Sequence, residues 1–223
     1  MEREPLALRH PELMQAFRTG AEPVLEAVDD AVLAAVNRFA LKPLTRDDIA
    51  VFQLDLCHNQ VDRHYSRFPE EELEQINRLV VGAPLMERHD LQGSLPRGRF
   101  FRSRLHQEGE RVSVRPEVYV LRTPENAAFI RNIEGGIFRE TSIGFAFRRP
   151  ECSICGEDMR GCEHIPGRRY GEDEAHYIMR EVTDVLEGSI VAAGSQGTAF
   201  VQATERGFQA PDWQQRGAAW ALE

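Results

Sequence analysis

The sequence predicts an α+β protein built mainly on antiparallel β-structure, a barrel or sheet with flanking helices. Strand-like runs outnumber helical ones, and the two do not alternate with the regularity that a parallel, doubly wound sheet requires. A third observation adds to this framework: three cysteines and a histidine fall between positions 152 and 164, within a segment too poor in apolar residues to order itself by burial.

In chain order, the first element is an amphipathic helix over 22–39. Val24, Leu25, Val28, Val32, Val36 and Phe39 recur at helical spacing, with Pro23 acceptable in the first turn. Lys42-Pro43-Leu44-Thr45 breaks the pattern, and the β-branched and aromatic run 49–56 begins the sheet. Pro69 followed by Glu70, Glu71 and Glu72 places acids at the positive end of a second helix, whose stripe of Leu73, Ile76 and Val80 runs to Gly82. Strands follow over 98–105, 111–121 and 137–147. Between the last two, Thr123-Pro124-Glu125-Asn126 opens a helix that buries Phe129, Ile130 and Ile133 and stops at Gly135-Gly136. Two further strands are expected over 177–182 and 185–191, and the tail beyond Gln209 has no periodic pattern. The expected organisation is an N-terminal helical segment 1–45, a main domain 46–205 with a metal knuckle inserted at 150–168, and a C-terminal tail 206–223.

At 223 residues the chain is long enough for one substantial core, and 42% hydrophobic with 28% charged residues is ordinary for a soluble globular protein. A formal charge of -9 disfavours a nucleic-acid partner held by phosphate neutralisation. No signal-peptide pattern and no apolar run of about 18 residues is present, so no membrane is expected and the chain is expected to stay in the cytosol where it is made. Cys57 stands alone in the sequence and reads as a small buried residue. Phe100-Phe101 and Phe145 with Phe147 read as core residues of strands, and Arg148-Arg149 and Arg168-Arg169 as solvated loop charges.

Cys152, Cys155, Cys162 and His164 supply three thiolates and one imidazole, a complete tetrahedral set for Zn2+. The C-x-x-C spacing lets one tight turn present two sulfurs, and Gly156 permits that turn. Four protein ligands leave no open coordination position, so the zinc is expected to be structural. No His-Glu-x-x-His helix exists, which argues against a zinc metalloprotease.

Thr141-Ser142-Ile143-Gly144-Phe145 places a serine on a strand, with Gly144 on the same face two residues on. Upstream, Pro84-Leu85-Met86-Glu87-Arg88-His89-Asp90 carries a histidine at the end of an apolar stretch. The order of these elements, with Gly98-Arg99 and with Leu186-Glu187-Gly188-Ser189-Ile190-Val191, resembles the prohead maturation proteases of tailed phages over 49–199. That family is related in fold to the herpesvirus assemblin proteases, in which helices surround a mainly antiparallel β-barrel. The resemblance implies a serine endopeptidase that cleaves scaffolding protein, or the scaffold region of the major capsid protein, and then itself. It implies Ser142 as nucleophile, His89 as general base and Glu187 as the carboxylate behind the histidine. It also implies a homodimer or higher oligomer, working in the host cytoplasm inside the immature prohead. Two departures bear on Glu187: Gly188 replaces a branched residue, and Ala192-Ala193-Gly194-Ser195-Gln196 replaces a Pro-Ala-Asn-like turn. His176 and Glu181 therefore stand as alternatives for the third position. The other function class is an inactive, zinc-stabilised assembly or scaffolding factor of the same fold.

Overall fold

The computed structural model describes residues 28–201. The 22–27 part of the first expected helix and the tail after 201 lie outside them. Helix α1 (Asp30–Asn37) starts where the Asp29 carboxylate accepts the Val32 N–H at 2.7 Å, satisfying a donor the first turn leaves open. Val32 and Val36, one turn apart, are its buried residues. They meet strand β1 (Ile49–Gln53), all five residues of which are buried. Alternation explains how both faces are covered: Ile49 and Val51 join α1, while Ala50 and Phe52 enter the main core.

Short strands β2 (Cys57–His58) and β3 (Ser66–Arg67) lead to helix α2 (Glu70–Leu79), with Glu70, Glu71 and Glu72 in its first turn and Leu73 and Ile76 buried. Strand β4 (Pro84–Glu87), an apolar stretch in the sequence, precedes the long hairpin of β5 (Gly98–Glu108) and β6 (Arg111–Leu121). Helix α3 (Pro124–Glu134) has Pro at its first turn and buries Phe129, Ile130 and Ile133. Strand β7 (Glu140–Cys152), two small strands β8 (Arg169–Tyr170) and β9 (Asp173–Glu174), and strand β10 (Tyr177–Val191) complete the fold.

Eight strands form one sheet in the order β1-β6-β5-β4-β10-β3, with β2 on β6 and β7 on β10. Pairing is antiparallel except where β10 runs parallel to β4 and β3. The protein is thus α+β with a mixed, mostly antiparallel sheet. The sheet does not close into the β-barrel that the resemblance implies. Between the β1 and β7 edges, isolated bridges join Leu54 to Phe200 and Glu140 to Ala199, and Thr141 Oγ1 donates to Asp55 O at 2.7 Å.

Two further expectations are corrected. The strand expected over 137–147 begins at Glu140 and continues to Cys152, so the first cysteine sits on the strand itself. The two strands expected over 177–182 and 185–191 are one strand of 15 residues, interrupted by register shifts between Val182 and Asp184 and between Val185 and Glu187. Thr183 and Asp184, between the two expected strands, belong to the first irregularity. Glu181 there has φ 60, a left-handed conformation that costs a non-glycine residue energy. Glu72 on α2 holds it, its carboxylate accepting the Glu181 N–H at 2.8 Å and the Val182 N–H at 2.9 Å.

Candidate active site and metal centre

The second bulge on β10 decides which way Glu187 points. Val185 pairs with Phe145, and Gly188 with Ile143, so these positions share the core face. A Cβ on Gly188 would lie 2.6 Å from the Phe100 ring, which confirms that side and explains why a branched residue does not fit there. In a regular strand Glu187 would share the face of Val185. The extra residue, Leu186, turns Glu187 and Ser189 to the opposite face, where they pair directly with Gly144 and Ser142. Gly144 is required by this pairing, because a Cβ on it would lie 2.1 Å from Glu187 Oε1.

His89 arrives on that face by a different route. Strand β4 lies parallel to β10, with Met86 opposite Ser189 and Glu87 opposite Ile190, so the chain leaving β4 emerges beside Ile190 and has to turn back for the His89 ring to reach Glu187. Arg88 and His89 then adopt φ values of 60 and 57, a left-handed pair of non-glycine residues. Two hydrogen bonds hold them: the Arg88 N–H donates to Ile190 O at 2.9 Å and the His89 N–H to Ser189 Oγ at 3.0 Å.

The His89 ring meets the carboxylate directly, with Nδ1 2.5 Å from Glu187 Oε1. An ionised carboxylate only accepts hydrogen bonds, so Nδ1 carries the proton and Nε2 presents its lone pair or, once charged, a second N–H. The hydrogen bond and the negative charge of Glu187 raise the His89 pKa above its ordinary value, against a partial desolvation that lowers it. Glu187 itself is 1% exposed, and its other oxygen accepts from Ser189 Oγ. Ser189 was not singled out in the sequence, although Glu187-Gly188-Ser189 at period two puts both polar residues on one face. It ties the left-handed turn to the carboxylate.

Of the alternatives for the third position, neither touches His89. The His176 ring contacts Glu174 O, and Glu181 is an exposed partner of Arg149. Ser142 shares the face of Glu187, but no hydrogen bond joins its Oγ to His89 among the described residues. It borders a cavity of about 150 Å³ whose far wall comes from residues 62–68. Cys57 is fully buried, as expected of a small core residue, and desolvation holds its thiol neutral.

The metal-ligand set is brought together at the other end of β7. One ligand atom from each of Cys152, Cys155, Cys162 and His164 lies within 4.8 Å of all the others. Ligand atoms around a tetrahedral zinc stand about 3.8 Å apart for sulfur pairs, so the four are within easy reach of that geometry. The turn is made by Gly156 at φ 76, whose N–H donates to Cys152 O, while the Ile154 N–H points at Cys152 Sγ at 3.4 Å. His164 Nδ1 is buried with no hydrogen-bond partner among the described residues, the state expected of a nitrogen reserved for a metal. The Tyr170 ring stands edge-on to the imidazole at 4.5 Å and fixes its plane. Cys152 is ten residues from Ser142, up to about 33 Å along the strand, so this centre is separate from the His89 face.

Among the described residues no helix is long and apolar enough to cross a membrane. No family model, curated protein or solved structure matches the chain.

Proposed function

We propose that the protein is a serine endopeptidase of the prohead-maturation type, with an assemblin-like arrangement in which the bridges across the sheet edges stand where a barrel would close. The observation that carries this reading is the 2.5 Å contact of His89 Nδ1 with the buried Glu187, on the strand face that also carries Ser142. In this reading Ser142 Oγ attacks the scissile carbonyl and His89 Nε2 takes its proton, then returns it to the leaving amine. Glu187 fixes the tautomer and stabilises the imidazolium, and Ser189 positions Glu187. Substrates are the scaffolding protein or the scaffold region of the major capsid protein, and the chain itself, in a homo-oligomer within the prohead. Co-expression with the cognate capsid and scaffolding proteins tests this. The expected outcome is processing by the wild-type chain and none by Ser142→Ala; processing that survives in the variant contradicts it.

The raised pKa of His89 gives a pH signature. A general base works only when neutral, so kcat/KM rises with pH through the His89 pKa, and that limb lies above the ordinary imidazole value of 6.5. Glu187→Gln removes the negative charge and weakens the hydrogen bond to Nδ1, while desolvation still acts, so the limb moves to lower pH and the maximum falls. A limb unmoved by that substitution contradicts the assignment of Glu187.

The four-ligand cluster is assigned to structural Zn2+. Purification without chelator is expected to yield about one zinc per chain, and His164→Ala or Cys155→Ser less than about half an equivalent. Less than half an equivalent in the wild type contradicts the assignment.

A second reading, an inactive assembly factor of the same fold, draws on the absent Ser142–His89 hydrogen bond. Catalytic hydrogen bonds are often loose without substrate, so the pairing of His89 with Glu187 outweighs it.

A further inference from the structure

The cavity beside Ser142 has a chemistry that neither the fold nor the triad reading assigns. Its apolar wall comes from Leu56, Phe68, Ile143, Phe145 and Met179, with Phe68 and Phe145 stacked edge to face at 4.8 Å. The polar groups that also line it are mostly committed elsewhere. Asp62 accepts from the His64 and Ser66 backbone N–H groups and from Ser66 Oγ. Gln196 closes a ring of hydrogen bonds with the His58 backbone, and Thr198 Oγ1 donates to main-chain carbonyls. Apart from the His64 ring and the Ser142 and Ser195 hydroxyls, the polar lining is therefore already partnered, and a carboxylate entering from outside would face the Asp62 carboxylate.

The wall is also preformed. Tyr65 is held between Asp62 and Ser66, its carbonyl accepting the Tyr177 N–H at 2.7 Å. Its ring lies against Gly167 of the metal loop, where a Cβ would come within 2.6 Å. A cavity of about 150 Å³ can hold a benzene-sized group.

We infer that this cavity is the specificity pocket of the proposed protease and that it takes a leucine- to phenylalanine-sized apolar side chain next to the scissile bond, rejecting acidic ones. The inference rests on the serine-protease reading, and the test separates the two. Three peptidyl diphenyl phosphonates, differing only in an isobutyl, a carboxyethyl or no side chain next to phosphorus, are reacted with the full chain and with Met179→Phe, and Ser142 labelling is followed by mass. The isobutyl reagent is expected to label wild type at least about tenfold faster than the other two. Met179→Phe, which narrows the pocket, is expected to shrink that ratio; because the ratio is internal to each sample, partial misfolding cancels. Equal rates, or a preference for the carboxyethyl reagent, overturn the pocket while leaving Ser142 as nucleophile. If no reagent labels Ser142, the protease reading fails and the pocket assignment with it. Benzene added to Ser142→Ala is expected to shift the Ile143 and Met179 methyl resonances; unshifted methyls overturn the apolar pocket without reference to catalysis.

Discussion

Ser142→Ala and His89→Ala are each expected to lower the cleavage rate of a capsid-protein substrate by about 10⁴-fold or more, since members of a nucleophile–base pair act as one unit. The two variants should differ in stability. Ser142 Oγ has no hydrogen-bond partner among the described residues, so its removal should leave the thermal midpoint nearly unchanged. Removing the His89 ring leaves Glu187, 1% exposed, with Ser189 as its remaining side-chain partner, and should cost on the order of 1–3 kcal/mol. Rates from purified protein, with the midpoint measured alongside, check both. Full activity in either variant contradicts the pairing.

Gly144→Ala is the second large effect. The added methyl would lie 2.1 Å from Glu187 Oε1 and 2.9 Å from its Cδ, so the carboxylate has to move. Its other oxygen is held by Ser189, and movement therefore breaks the contact with His89 or the contact with Ser189. Misorienting the carboxylate of a triad costs up to about 10⁴-fold, and a loss of 10²- to 10⁴-fold in kcat/KM is expected here. The pH limb should move down with it, because the charge that raises the His89 pKa has been displaced. An alanine variant with unchanged rate and limb would mean that Glu187 does not act through His89.

The sequence was most legible where a single periodicity governs. The stripe of Leu73 and Ile76 on α2, the strand character of β1, and the proline in the first turn of α3 follow from spacing and local chemistry alone. The Cys152, Cys155, Cys162 and His164 cluster was legible for a similar reason, since residue types and spacing pick out the four side chains that the fold brings within 4.8 Å of one another. β10 was not. Its bulges break the period of two, so reading Val185 and Glu187 as alternating residues puts the carboxylate in the core. Gly188 looked like a departure that weakened Glu187, yet it is what the Phe100 ring demands on the other face. The cavity wall from 62–68 and the bond from the His89 N–H to Ser189 Oγ depend on contacts across more than 70 residues of sequence, and the local period-two placement of Ser189 beside Glu187 does not show them.

In the proposed mechanism Ser142 is a nucleophile activated by His89. Intact mass measurement after reaction with a fluorophosphonate tests it most directly. The expected result is one adduct per chain, located on Ser142, absent from Ser142→Ala and formed far more slowly by His89→Ala. An unlabelled wild-type chain, or an adduct whose rate ignores His89, would contradict it.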